Sequence, residues 1–300
     1  ALTYPLIGNY GVPNALESEL SHNYESGRVH IRALVVSEYS EYHHHWSSER
    51  GLSDLLASQG VTGIEGVDTR ALVIRLRERG TMRGVISKFP GAAIVQENIH
   101  PVSEVSIVKP VEYRVEGAKK RVGLVDCGCK NTIARSLLSR GVSVVKVPWD
   151  FDVTSLDVDG VLFSNGPGDP TDCPETIETA RRVIESGLPA FGICLGNQIL
   201  ALASGAKTYK LKFGHRGQNQ PCLLSGTRRC FITSQNHGYA VDETSLKDGW
   251  EVWFTNLNDG TNEGLRHSTR PIMSVQFHPE AMPGPVDTGY LFDEFVELLR

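Results

Sequence analysis

Short apolar runs alternate with amphipathic stretches throughout the second part of the chain. The amphipathic stretches have apolar residues at helical spacing, as in the segment with Ile133 and Leu137 that stops near Gly141. Predicted helices also cover 175–186 and 194–203, and the strand-like runs are 121–126, 142–147, 158–163, 188–193 and 272–275. This alternation predicts an α/β fold with a doubly wound, mostly parallel sheet. In such a sheet, binding sites lie at the carboxyl ends of the strands.

The first part of the chain has a weaker pattern. It contains a strand-like run at 29–36 and a predicted helix at 51–59. A longer helix is expected after Asp68, whose side chain is a favourable N-cap, and Gly80 stands where a helix commonly ends. We therefore expect a smaller α/β domain in front of the larger one.

A polar stretch at 109–120 separates the two patterns. It contains Pro110 and Gly117 and has little periodicity, so we predict a linker there. The expected domains are 1–115 and 120–300, and a length of 300 residues agrees with two domains.

The composition is that of an ordinary globular protein. Hydrophobic residues make up 40% and charged residues 22%, with a net charge of −5. Long basic runs are absent, and no apolar run approaches the roughly 20 residues that span a bilayer. The first residues lack the pattern of a signal peptide, and six cysteines are too few for a disulfide framework. We expect a cytoplasmic protein without nucleic-acid or membrane partners.

The segment Phe191-Gly192-Ile193-Cys194-Leu195-Gly196 has the form of a nucleophile elbow, with cysteine as the nucleophile. It lies at a predicted strand-to-helix junction, where a sharp turn needs small residues on both sides. The helix N-terminus would favour a thiolate, the reactive form of Cys194. The alternative is a buried structural cysteine that packs beside glycines.

A nucleophilic thiol needs a base, and the base needs an orienting group. His278 follows the strand-like run 272–275, and Glu280 is close enough to bind the imidazole. The other histidines have weaker contexts. The consecutive histidines at 43–45 predict a solvated loop with no metal, and His237 lies in a predicted polar turn (235–239) that we interpret as binding surface.

An oxyanion hole would complete this set of groups. The backbone N–H of Leu195, directly after Cys194, is one natural donor. The loop 165–169 offers a second donor at Gly166, where glycine permits close approach. The same loop sequence is also typical of an ordinary turn, and it lacks the Lys-Ser/Thr of a phosphate-binding loop.

Four motifs in this order, G-I-C-L-G, S-N-G-P-G-D-P, S-Q-N-H-G-Y and H-P-E, resemble the class I (triad-type) glutamine amidotransferases. One branch is more similar still, the small glutaminase subunit or domain of carbamoyl-phosphate synthetase. Three further stretches support that branch: L-T-Y-P-L-I-G-N at 2–9, G-V-D-T-R at 66–70 and F-G-H-R-G-Q-N-Q-P at 213–221.

The resemblance implies that Cys194 attacks the side-chain amide of glutamine, while His278 moves the proton and Glu280 orients His278. It implies an oxyanion site at Gly166 and Leu195. The other glutamine-pocket residues that it implies are Gln198, Asn236, Gly238 and Tyr239. Released ammonia would pass to a large synthetase subunit or domain. No cofactor is expected in this chain, because ATP and Mg²⁺ would bind to that partner.

Two departures from the family pattern lead to alternatives. The family usually reads C-L-G-H-Q, whereas this chain has Asn197 in place of that histidine. Family members also carry about a domain of strand-rich sequence before L-T-Y-P, including a serine that contacts glutamine, so we expect the front domain to be incomplete. The alternatives are a catalytically impaired scaffold of the same synthetase and a stand-alone γ-glutamyl hydrolase.

Overall fold

The computed structural model describes residues 1–13, 20–94, 99–247 and 249–299. The chain divides into two compact units, Ala1–Asn98 and Ile99–Arg300. Among the described residues, no helix combines the length and apolar character that a membrane span requires.

In its described residues, the front unit contains a small parallel sheet and two helices. Its elements are β1 (Ala33–Val35), α1 (Leu52–Ser58), β2 (Thr62–Ile64) and α2 (Thr69–Arg79). Strands β1 and β2 pair in parallel. The Asp68 carboxylate accepts a hydrogen bond of 2.9 Å from the Ala71 N–H, and Gly80 follows α2 with a φ of 83°. Both predicted helices are confirmed, whereas the first strand is shorter than expected.

The second unit contains ten strands and five helices among its described residues. In chain order they are α3 (Pro101–Val105), β3 (Val111–Tyr113), β4 (Lys120–Asp126), α4 (Asn131–Leu138), β5 (Val142–Pro148), β6 (Gly160–Phe163), α5 (Pro174–Ser186), β7 (Ala190–Ile193), α6 (Leu195–Ala203), β8 (Lys207–Leu224), β9 (Cys230–Asp242), β10 (Trp250–Asn256), β11 (Asn262–His267), β12 (Ile272–Val275) and α7 (Leu291–Leu298). Short 3₁₀ turns occupy Val153–Ser155, Pro170–Asp172 and Glu243–Ser245.

All ten strands form one sheet in the order β3-β5-β4-β6-β7-β12-β11-β10-β8-β9. Strands β5, β4, β6, β7 and β12 are parallel and form its centre. Antiparallel pairings add β3 at one edge of this centre and β11, β10, β8 and β9, in that order, at the other. The predicted α/β class is therefore confirmed. The expected linker at 109–120 instead contains β3, whose Val111–Tyr113 pair with β5.

Apolar side chains of the helices cover the parallel centre of the sheet. Ile133 and Leu137 of α4 and Ile199 of α6 are fully buried, as their helical spacing predicts. Helix α7 packs on β7 through aromatic contacts, because the Phe191 ring lies 5.8 Å from Phe292 and 5.5 Å from Phe295. This packing holds β7 in place and so positions the residue that follows it, Cys194.

The predicted polar turn at 235–239 is wrong, because this segment lies inside β9. Its residues pair with β8, with Asn236 opposite Arg216 and His237 opposite His215. Residues 233, 235 and 237 are buried, whereas 236 is exposed. The inward side chains are polar, so the hydrophobic pattern does not reveal the strand.

Candidate active site

Three of the predicted site residues follow strands that are neighbours in the parallel centre of the sheet. Gly166 follows β6, Cys194 follows β7 and His278 follows β12. Strands β6, β7 and β12 are consecutive in the sheet and parallel. Their carboxyl ends therefore lie at one edge, and the sheet brings these residues together.

Cys194 occupies a sharp turn between β7 and α6. Its backbone has φ 55° and ψ −102°, a conformation that few non-glycine residues adopt, and its N–H donates to the Val275 carbonyl at 2.8 Å. A Cβ at Gly192 would lie 2.5 Å from the Gly196 carbonyl oxygen, and one at Gly196 would lie 2.1 Å from the Phe163 carbonyl oxygen. The turn therefore requires both glycines, as the nucleophile-elbow interpretation predicts.

His278 interacts with both other members of the predicted triad. Its Nδ1 lies 2.7 Å from Glu280 Oε1, and its interaction with Cys194 contributes to the raised pKa of the imidazole. The backbone N–H of His278 donates to the Ser234 carbonyl at 2.9 Å, which holds the loop against β9. The Glu280 carboxylate accepts a hydrogen bond from His278 Nδ1–H, which leaves His278 Nε2 for proton transfer.

The electrostatics of this group favour a charged imidazole. Burial alone would lower the pKa of His278, but the charge of Glu280 and the interaction with Cys194 raise it to about 10. Burial alone would raise the pKa of Glu280, but His278 and Lys130 lower it below its usual value. Glu280 therefore stays ionised and stabilises an imidazolium next to the thiol.

Lys130 is a residue of this site that the sequence analysis missed. Its Nζ lies 3.2 Å from Glu280 Oε1 and also donates to the Ala281 carbonyl. Its backbone N–H donates to Asn165 Oδ1 at 3.1 Å. Lys130 therefore contacts both the segment that holds Glu280 and the loop after β6. Lys130 belongs to none of the sequence motifs. Its position just beyond the carboxyl end of β4 is the one feature of the sequence that could have indicated a role in the site.

The loop after β6 lies directly against the start of α6. A Cβ at Gly166 would lie 2.1 Å from the Cys127 carbonyl oxygen and 2.7 Å from Leu195 Cδ2, so only glycine fits. Leu195 is the first residue of α6, where backbone N–H groups have no intrahelical acceptor. The structure thus brings Gly166 and Leu195 together at the positive end of a helix dipole.

Two of the predicted pocket residues connect α6 and β9 to their surroundings. Gln198 is buried, and its Nε2 donates to the Tyr239 carbonyl at 2.9 Å and to Gln276 Oε1 at 3.0 Å. Burial and the nearby Asp169 carboxylate raise the pKa of the Tyr239 phenol to about 12. Tyr239 therefore lies close to the loop after β6, which carries Asp169.

The other two predicted pocket residues, Asn236 and Gly238, lie further along β9. Asn236 is exposed, and a Cβ at Gly238 would lie 3.3 Å from the Arg216 guanidinium. That guanidinium donates to the carbonyls of His215 and His237. His237 itself is buried, which corrects its interpretation as binding surface.

Asn197, which departs from the family pattern, is fully buried in a hydrogen-bond network. Its Nδ2 donates to Gln276 Oε1 at 3.2 Å, and its Oδ1 accepts from Ser274 Oγ at 2.7 Å. The Asn197 side chain therefore ties α6 to β12, the strand that precedes His278, and the Asn197 backbone N–H donates to the Cys194 carbonyl at 3.1 Å.

Comparison with known proteins agrees with this architecture. Residues 123–298 match the family model for class I glutamine amidotransferases, and residues 1–86 match the model for the CPSase domain of the carbamoyl-phosphate synthase small chain. The fold of residues 123–298 is thus that of a class I glutamine amidotransferase. More particularly, the chain belongs to the carbamoyl-phosphate synthase small-chain family.

Individual relatives differ greatly in length. The chain is 50% identical over 308 residues to multifunctional protein CAD of Squalus acanthias, in an alignment that covers 100% of this chain but only 14% of that protein. It is 46% identical to the arginine-specific carbamoyl phosphate synthase small chain of Aspergillus oryzae, and that alignment covers 99% of this chain and 69% of the relative. The solved structure of a GMP synthase component from Thermoplasma acidophilum aligns with a TM-score of 0.53 and 26% identity, over 60% of this chain and 93% of that one.

Proposed function

We propose that this chain hydrolyses glutamine and supplies the ammonia for carbamoyl phosphate synthesis. The observation that carries the proposal is the strained Cys194 after β7, beside the end of the neighbouring strand β12, from which His278 follows and is bound by Glu280. A nucleophile, a base and an orienting carboxylate in this arrangement are the requirements for acyl transfer.

In the first step, the Cys194 thiolate attacks the carbon of the glutamine side-chain amide, and a C–S bond forms. The developing oxyanion would accept hydrogen bonds from the Gly166 and Leu195 N–H groups. The C–N bond then breaks, and the His278 imidazolium gives its proton to the departing ammonia. The products of this step are ammonia and a γ-glutamyl thioester on Cys194.

In the second step, neutral His278 takes a proton from water, and the resulting hydroxide attacks the thioester carbon. The C–S bond breaks, which restores the Cys194 thiolate beside the His278 imidazolium, and the new γ-carboxyl group gives its proton to solvent as glutamate leaves. Glu280 stabilises that imidazolium at each stage, and Lys130 keeps Glu280 in place. We assign the glutamine pocket to Gln198, Asn236, Gly238 and Tyr239.

The ammonia would be used by a synthetase partner that is a separate chain or another part of a longer protein. The fungal relatives are named as small chains, and the shark relative is named as a multifunctional protein, so both organisations occur among the relatives. We place ATP and its Mg²⁺ on that partner, where carboxyphosphate would meet the ammonia.

The test is glutamine hydrolysis by this chain, alone and with a carbamoyl-phosphate synthase large chain. We expect turnover that Cys194→Ala abolishes and that Cys230→Ala leaves unchanged, because Cys230 is exposed and lies outside the site. The absence of turnover in every combination would refute the proposal and favour a scaffold. Partner-independent turnover of γ-glutamyl peptides instead of glutamine would favour a hydrolase.

Covalent labelling gives a second readout. A glutamine analogue with an electrophilic carbon should modify Cys194, although that residue is only 4% exposed, and should spare the exposed Cys230. Iodoacetamide, which lacks the α-amino and α-carboxyl groups of glutamine, should modify Cys230 readily. Labelling of Cys230 by the glutamine analogue in preference to Cys194 would contradict the assignment of the pocket.

A further inference from the structure

A second group of polar side chains is buried in the antiparallel part of the sheet. It consists of His215 on β8, Gln235 and His237 on β9, and Glu263 on β11. Each of these residues is at most 8% exposed. One ligand atom each from His215, His237 and Glu263 lies within 4.8 Å of the others. The proposed glutaminase mechanism uses none of these four side chains.

The outer nitrogens of both histidines face groups that only accept hydrogen bonds. His215 Nε2 lies 2.8 Å from Asp259 Oδ2, and His237 Nδ1 lies 2.9 Å from the Tyr239 carbonyl oxygen. A neutral imidazole carries one proton, which these acceptors hold on the outer nitrogen. In their neutral forms, the inner nitrogens His215 Nδ1 and His237 Nε2 would therefore present lone pairs to the interior.

Two oxygens face these lone pairs. Gln235 Oε1 lies 2.8 Å from His215 Nδ1 and 3.2 Å from His237 Nε2, whereas Glu263 Oε1 lies 3.1 and 3.6 Å from the same two nitrogens. The amide nitrogen of Gln235 donates to Thr233 Oγ1 at 3.1 Å and to Cys222 at 3.3 Å, which turns Oε1 inward.

The donors that approach this cluster are at the limit of hydrogen-bond distance. Asn256 Nδ2 lies 3.4 Å from His215 Nδ1 and 3.5 Å from Glu263 Oε1, and the Thr261 hydroxyl lies 3.3 Å from the same carboxylate oxygen. Glu263 Oε2 has no hydrogen-bond partner among the described residues, and Glu263 is fully buried. Four electron-rich atoms thus converge on one point, and such a point needs positive charge.

Four of the six separations among these ligand atoms are close to those around a tetrahedral metal ion, and the ligand atoms of His215, His237 and Glu263 lie within 4.8 Å of one another. Zinc bonds to nitrogen and oxygen of about 2.0–2.1 Å put neighbouring ligands about 3.3 Å apart. The four separations above run from 2.8 to 3.6 Å. Asp259 and the Tyr239 carbonyl hold the outer nitrogens in the way that carboxylates and carbonyls orient the histidine ligands of zinc sites.

We propose that His215 Nδ1, His237 Nε2, Gln235 Oε1 and a Glu263 carboxylate oxygen bind a divalent transition-metal ion. Two imidazoles with two oxygen ligands in this geometry favour Zn²⁺. This proposal departs from the sequence-based expectation of no metal. The ion would join β8, β9 and β11 and hold His237, which stands between the proposed pocket residues Asn236 and Gly238.

The test is metal analysis of the purified chain, expressed with zinc and without a polyhistidine tag. After gel filtration, we expect about one zinc ion per chain by mass spectrometry. Glu263→Gln keeps the shape of the side chain but removes its charge, and it should lower zinc retention at least about tenfold. The matched control changes His43, His44 and His45 to alanine, which should leave the zinc content unchanged.

Three results would overturn the metal site. The first is a folded wild-type chain that takes up no zinc, which would mean that protons on both histidines supply the positive charge. The second is zinc that is lost when His43–His45 are replaced, and the third is zinc that is lost in Cys194→Ser. Either of the last two would place the ion elsewhere.

X-ray absorption of the zinc-loaded wild-type chain keeps the test independent of whether the variants fold. We expect nitrogen and oxygen neighbours with imidazole scattering, whereas a sulfur neighbour would contradict the proposed ligands. Neither measurement involves glutamine turnover. Failure of the metal proposal and failure of the glutaminase proposal are therefore distinguishable.

Discussion

Replacing Gly196 with alanine tests whether the close contact between α6 and β6 is what positions Cys194. The new Cβ would lie 2.1 Å from the Phe163 carbonyl oxygen and 2.7 Å from its carbonyl carbon. Non-bonded carbon and oxygen atoms are ordinarily about 3.5 Å apart, so the two backbones have to separate by more than about 1 Å. Both atoms belong to the main chain, so no side-chain rotation relieves the clash.

Two opposing effects determine the change in stability. Alanine in place of glycine inside a helix stabilises it by about 1 kcal/mol. Overpacking costs about 1–3 kcal/mol, and the backbone clash puts this case at the upper end of that range. We therefore expect the free energy of unfolding to fall by about 2 kcal/mol, measured by urea titration with circular dichroism.

The effect on activity should be larger than the effect on stability. A shift of about 1 Å at the start of α6 moves Cys194 and the Leu195 N–H relative to Gly166, and a misplacement of this size costs about 100-fold in rate. The control is Gly27→Ala, because a Cβ at Gly27 meets nothing within 4 Å. A Gly196→Ala chain with wild-type stability and wild-type kcat/KM for glutamine would refute the reasoning.

Three further predictions concern single polar residues. Lys130→Met should lower kcat/KM about tenfold, because Glu280 loses a charged hydrogen bond worth about 1.5–3 kcal/mol, and Lys130→Arg should retain more activity in the same steady-state assay. His278 has a pKa raised from 6.5 to about 10, so its ionisation stabilises the fold fully below pH 6.5 and progressively less up to about pH 10. The difference in unfolding free energy between wild type and His278→Gln should therefore shrink over that interval in pH-dependent urea titrations, and a constant difference would contradict the assigned ion pair. Asn197→Ala should lower the free energy of unfolding by about 1–3 kcal/mol, since the buried Ser274 hydroxyl and Gln276 carboxamide lose a partner, and an unchanged urea midpoint would contradict this role.

Features that depend on neighbouring residues in the chain were readable from the sequence. The turn at Cys194 needs glycines two positions away on each side, and His278 reaches Glu280 across one intervening residue. The alternation of apolar runs and amphipathic stretches was likewise sufficient to predict the parallel centre of the sheet. Because the carboxyl ends of parallel strands meet at one edge, this local information also predicted that Gly166 and Cys194 belong to one site.

Only the tertiary structure decided which distant polar residues meet. Lys130 and Glu280 are far apart in sequence, and no periodicity connects them. Strand β9 was not predicted, because its inward residues Gln235 and His237 are polar. They are buried against polar partners that include His215 on β8. A buried polar group is tolerated when a partner satisfies it, and here the fold supplies those partners from far along the chain. The sequence alone thus predicted the parallel centre of the sheet and the turn that holds Cys194, whereas the support for Glu280 and the cluster around Glu263 exist only once the strands are assembled.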